Sequence, residues 1–204
     1  MTTLASRGKQ SVTIGLKDHG KRMLLAVFDR AITTEGHAYE LAKGVIEVSE
    51  IPSRLHQLIL QALRDQFTYY RLTQVGQPIF YIGGGAEAKL LIQSNESERH
   101  PDLSVYLTPM PEMDQPWSIW KPEIVIEVVS PSSAKRDYQE KPAEYLALGV
   151  AEYWILDPVK KLLTIKTNQG GVWHDKTFKP TQKITSIRLP KFVFDLKKAL
   201  AAGK

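Results

Sequence analysis

Cysteine is absent from all 204 residues, which excludes disulfides and thiolate-ligated metal sites and is compatible with a reducing compartment. Long apolar runs are absent too. The opening MTTLASRGKQSVTIGLKDHGKRM lacks the continuous hydrophobic core of a signal peptide, and nothing further along is long and apolar enough to span a bilayer. A cytoplasmic protein with no membrane partner is the expectation. The five histidines have no zinc-ligand spacing, and neither a nucleophile elbow nor a Ser/His/Asp order is present. Gly83-Gly84-Gly85 precedes no Walker lysine and opens no helix, so it reads as a plain turn rather than a nucleotide cradle. No internal repeat or low-complexity tract interrupts the chain.

What is present suffices for one core. With 43% apolar residues, 1–204 reads as a single domain with an N-terminal arm (1–38), a core (39–158) and a basic C-terminal extension (159–204). The net charge of +5 is unevenly spread: from Val159 onward eleven Lys/Arg accompany two acids, leaving −4 upstream. A basic segment beside an acidic body suits a protein that holds a polyanion next to cation-binding carboxylates. It equally suits a solvated surface.

Residues 39–48 read as a β-hairpin about Lys43-Gly44. Ser53 caps a predicted helix in which Leu55, Leu58, Ile59, Ala62, Leu63 and Phe67 recur with helical spacing. Residues 78–82 and 89–93 read as strands joined tightly by the glycines, 94–100 as a polar loop, 102–107 as a strand, and 108–120, with three prolines, as a loop. The most strand-like run is 123–129, whose β-branched residues belong in mid-sheet. A helical pattern follows to Leu148, with Gly149 in the left-handed capping position. Strands at 152–157 and 162–166 and a final helix at 195–201 complete the reading.

Two acids stand out. Val125 and Val129 share the side of the strand that carries Glu127, so this carboxylate faces an apolar layer. That is costly unless a metal, a cation or backbone amides compensate it, or the strand end is open. Asp102 follows His100-Pro101 at a loop-to-strand junction, where a side chain can protrude at a sheet edge. Alone it could be a capping residue. On a strand adjacent to Glu127 it would help present the oxygen ligands that Mg²⁺ prefers.

Pro101-Asp102, followed by Glu127 on a hydrophobic strand, resembles the PD-(D/E)-x-K nuclease superfamily. The run Glu127-Val-Val-Ser-Pro-Ser-Ser133, Arg136-Asp137-Tyr138, Lys141, Tyr145 and Gly149-Val-Ala-Glu-Tyr-Trp-Ile-Leu-Asp-Pro158 closely resembles the Uma-type family of candidate restriction endonucleases. The resemblance covers roughly residues 39–158. It implies an α/β (α+β) fold, a mixed β-sheet flanked by helices with extra N- and C-terminal strands. It also implies Mg²⁺-dependent cleavage of double-stranded DNA, with Mn²⁺ as a substitute, and a candidate homodimer; Trp117, Trp120, Tyr69 and Tyr70 could serve such an interface or equally belong to the core. Asp102 and Glu127 would hold the metal, with Glu40 or Glu47 as a third acid and His56 in support. The superfamily lysine belongs two residues after the glutamate, where this chain has Val129; the family match places it at Lys141, with Asp137 one helical turn earlier to orient it. Pro142 disfavours the α conformation at Lys141, so the helix should kink or begin there. The displaced lysine keeps open a catalytically inactive nuclease-fold module that binds DNA or a protein.

Overall fold

Residues 11–76 and 78–202 are described by the structure, a computed structural model. Its contacts group the chain into two compact units, Met1–Ile51 with Gln93–Glu98, and Pro52–Ile92 with Arg99–Lys204.

The first unit is built on the expected hairpin. β1 (His37–Ala42) and β2 (Val45–Glu50) pair antiparallel, and the turn uses Lys43 and Gly44 at φ 50° and 74°. Lys43 N–H donates to Ser97 Oγ at 2.9 Å, and Leu41 pairs with Glu98. Glu96 Oε2 accepts the Leu25 N–H at 2.7 Å, holding the short helical turn Leu25–Phe28.

The second unit is a six-stranded mixed sheet between helices. α1 (Arg54–Thr73) starts where Ser53 Oγ accepts the His56 N–H at 3.3 Å, the expected N-cap. The strands are β3 (Tyr81–Gly83), β4 (Leu103–Tyr106), β5 (Ile124–Val128), β6 (Glu152–Asp157), β7 (Leu162–Gln169) and β8 (Val172–Phe178). Their spatial order is β8-β7-β6-β5-β4-β3, and only β5 and β6 run parallel. A parallel pair needs a crossover, which α2 (Lys141–Leu148) supplies. α3 (Leu196–Ala201) closes the described chain, capped by Asp195 Oδ1 on Lys198 N–H at 2.8 Å.

β5 alternates as the sequence implies. Ile124, Ile126 and Val128 join Ile59, Leu63 and Phe67 of α1 in one buried cluster, while Val125 and Val129 join Tyr145, Leu148 and Tyr153 in another. Each large apolar side chain so buried contributes about 1.5–3 kcal/mol. The basic C-terminal segment takes part in the first cluster through Leu163, Ile165, Phe192, Phe194 and Leu196.

Three local readings differ from expectation. Residues 97–99 form a strand, and Ser97, Glu98 and Arg99 are all buried rather than looped out. The strand Leu90–Ile92 is not β3's neighbour in the six-stranded sheet. The glycines between them open the short 3₁₀ helix Gly85–Ala88, where no helix was expected, and allow a close approach: a Cβ on Gly84 would sit 2.2 Å from the Asp102 carbonyl oxygen. Of the interface aromatics, Trp120 and Tyr70 are buried and Trp117 packs on a buried cluster, whereas Tyr69 is exposed.

Candidate active site

Antiparallel pairing of Leu103 with Ile126 and Ser104 with Val125 carries Asp102 level with Glu127. The two strands are bonded to each other through these side chains. Val128 N–H donates to Asp102 Oδ2 at 2.7 Å, and Asp102 N–H approaches Glu127 Oε2 at 3.4 Å. On the outer side Gly85 N–H donates to Pro101 O at 2.7 Å, so the glycine run fixes the peptide that carries Asp102. His56 Nε2 of α1 lies 3.0 Å from Asp102 Oδ1, within ion-pairing reach but without hydrogen-bond alignment.

Glu127 is 3% exposed, and its burial is compensated by donors from α2. Lys141 Nζ reaches Glu127 Oε1 at 2.9 Å, and Tyr145 Oη donates to the same oxygen at 2.7 Å. Lys141 also pairs with Asp137 Oδ1 at 3.2 Å, while Ser133 Oγ donates to Asp137 Oδ2 at 2.5 Å. Burial pushes the Asp137 carboxyl above its ordinary range, with Asp102 adding to the rise and the Lys141 charge and the Ser133 bond opposing it. The Lys141 ammonium thus lies between two carboxyl groups.

Of the two expectations at Pro142, a kink or a helix start, the structure has the start: the α-helix begins at Lys141, with Pro142 in its first turn. Lys141 is α-helical at φ −60° and ψ −33° in spite of Pro142. Residues Arg136–Glu140 form a π turn, in which Lys141 N–H donates to Arg136 O five residues back. The wider turn relieves the clash of the proline ring with the preceding carbonyls. In this register the next amide would serve Asp137 O, and Pro142 has none. Tyr153 Oη donates to that carbonyl instead, at 2.9 Å.

Residues outside the expected set support the same helix. The fully buried Arg99 forms a two-pronged pair with Glu144, Nε to Oε2 at 2.7 Å and Nη2 to Oε1 at 3.1 Å. Trp173 Nε1 donates to Pro142 O at 2.8 Å. Tyr145 stands one turn beyond Lys141, and that spacing is the signal that could have assigned it to Glu127. Nothing in the sequence marks Arg99. At the adjoining end of β6, Asp157 receives Tyr138 Oη at 3.0 Å, Lys160 N–H at 2.9 Å and Lys160 Nζ at 3.2 Å. Burial would raise Asp157, but these donors outweigh it and hold the carboxyl below its ordinary range. Burial first, and the Asp157 contact second, push the Tyr138 hydroxyl up.

Among the described residues no group of three or more His, Asp or Glu is arranged to hold a metal ion. Two carboxyl groups, Asp102 and Glu127, lie level on adjacent strands, with the Val128 N–H bonded to the first. Such a hard-oxygen set fits Mg²⁺, which takes one or two carboxylates and keeps several waters. Glu40 and Glu47 face one another across β1 and β2 in the first unit.

Residues 25–197 match the model of the Uma2 family, described as "Putative restriction endonuclease". The fold matches a crystal structure described as "a putative nuclease belonging to DUF820" from Anabaena variabilis, with a TM-score of 0.67 and 17% identity. That match covers 89% of this chain and 99% of the other. No curated protein matches. Among the described residues no helix is long and apolar enough to cross a membrane.

Proposed function

This chain belongs to the Uma2 family, and we propose that it is a metal-dependent endonuclease that hydrolyses phosphodiester bonds in double-stranded DNA. Asp102, Glu127 and Lys141 are the proposed catalytic residues. One observation carries the reading: an ammonium, clasped by Glu127 and Asp137, stands beside a carboxylate pair on adjacent strands although the lysine has left its usual place.

Asp102 and Glu127 would hold Mg²⁺ or Mn²⁺. When bound, the ion supplies Lewis-acid polarisation and a lowered water pKa. The chain's own groups supply the rest. Lys141 offsets negative charge as it builds on the phosphate during in-line attack by water, and its two carboxylate partners fix its position before substrate arrives. Tyr145 fixes the Glu127 rotamer, and His56 stands beside Asp102 in support.

The test is plasmid nicking in Mg²⁺ against an EDTA control. Asp102→Ala and Glu127→Ala should each abolish cleavage while circular dichroism stays native. Cleavage at the wild-type rate in either variant rejects the assignment.

A further inference from the structure

Two cations stand at the sheet end that carries the carboxylate pair, Arg64 beside the chain leaving β3 and Lys160 in the turn after β6, and each rests on an acid outside the pair. On the α1 side, Arg64 Nη2 lies 3.5 Å from where a Gly84 Cβ would be, the same point that touches the Asp102 carbonyl. Its ion pair is loose: Nη1 stands 3.7 Å from Glu87 Oε2, and that Glu87 side chain is 64% exposed. Exposed pairs of this kind contribute little to stability, so the guanidinium can change partner at small cost. On the α2 side, Lys160 lies in the turn after β6, beside the end of β5, where Val129 N–H donates to Leu156 O at 2.8 Å. Its ammonium sits 4.6 Å over the Tyr138 ring, with Asp157 below, and the side chain remains 60% exposed. Tyr138 in turn follows Asp137, the partner of Lys141. Their described partners are Glu87 for Arg64 and Asp157 with Tyr138 for Lys160.

We propose that Arg64 and Lys160 are phosphate-binding side chains that seat the DNA backbone on either side of the phosphate undergoing cleavage. The inference rests on the proposed nuclease reading for its substrate and extends it to substrate seating. Arg64 presents a planar fork suited to two phosphate oxygens, whereas Lys160 presents a point charge steadied by an aromatic face. Glu87 and Asp157 hold the two cations in place until the more highly charged backbone replaces them.

The experiment is equilibrium binding of a short fluorescein-labelled DNA duplex across a salt titration, with Ca²⁺ replacing Mg²⁺ to suppress turnover. Each phosphate contact contributes about 0.9 to the slope of log K against log salt. Arg64→Ala and Lys160→Ala should each lower that slope by about 0.9, while Lys197→Ala on α3 should leave it unchanged. Glu87→Gln should tighten binding, a gain that misfolding cannot produce. A wild-type slope in either Arg64→Ala or Lys160→Ala overturns the proposal, as does failure of the wild type to bind the duplex at low salt. Plasmid cleavage in Mg²⁺ is read separately. Reduced slopes without wild-type cleavage would support this proposal and sink the catalytic one; cleavage with unaltered slopes would do the reverse.

Discussion

Lys141 and Tyr145 donate to one and the same oxygen of Glu127, at 2.9 and 2.7 Å. One turn of α2 therefore delivers a charge and a hydroxyl to a single atom and turns the glutamate's Oε2 toward Asp102. A hydrogen bond to a charged group contributes about 1.5–3 kcal/mol. Tyr145→Phe should thus lower the single-turnover rate of plasmid cleavage roughly ten- to hundredfold. A rate within about twofold of wild type would remove Tyr145 from the site.

Gly84 fixes the other acid. A Cβ there would meet the Asp102 carbonyl at 2.2 Å and force the strands apart, whereas a Cβ on Gly85 meets nothing within 4 Å. Gly84→Ala should cost about 1–3 kcal/mol in urea denaturation and weaken Mn²⁺ binding measured by calorimetry. Gly85→Ala, whose φ is +58°, should pay only the left-handed backbone strain of about 1–2 kcal/mol and bind Mn²⁺ normally. Equal loss of Mn²⁺ affinity in both would refute this role for Gly84.

Glu152 is fully buried on β6 and accepts from Trp154 Nε1, Ser186 Oγ, Ile187 N and Arg188 N. It ties the C-terminal segment to the sheet. Glu152→Ala should lower unfolding stability by at least about 3 kcal/mol, because several buried donors lose their acceptor together. Glu152→Gln should be milder, since it keeps an acceptor oxygen. A loss below about 1 kcal/mol for the alanine variant would show that water replaces the carboxylate.

Asp157 predicts a pH effect of defined sign. Its folded carboxyl lies below the ordinary aspartate value of 3.8, so the contribution to stability is complete above 3.8 and disappears as pH falls through the folded value. Wild type should therefore exceed Asp157→Asn in stability at neutral pH, and the gap should narrow only once pH drops below 3.8. Guanidinium denaturation of both proteins over acidic pH checks it. A gap independent of pH would assign the effect to packing.

The parts of this arrangement that obey a period were legible in the sequence. Helical spacing gave α1 and its Ser53 cap, and β-branched alternation placed Glu127 in mid-sheet against an apolar layer. The meeting of Asp102, Glu127 and Lys141 came from family resemblance, because contacts between distant segments have no local signature. Ser97-Glu98-Arg99 looks like solvent-facing loop, yet Arg99 is buried by its fit to Glu144, a residue 45 positions away. In the sequence the glycine triplet signals conformational freedom alone. Its purpose is proximity to Asp102, which depends on a strand that sequence does not show to be adjacent.

The π turn makes the spacing between Glu127 and Lys141 a matter of angle as well as distance. Arg136–Glu140 holds one residue more than an ordinary turn, and each helical residue advances the side chains by about 100°. Deleting one position there would rotate Lys141 and Tyr145 together off Glu127 while leaving every functional amino acid in the chain. A homologue with that deletion would keep its recognisable residues and lose their convergence, so the length of this segment is as diagnostic as its composition.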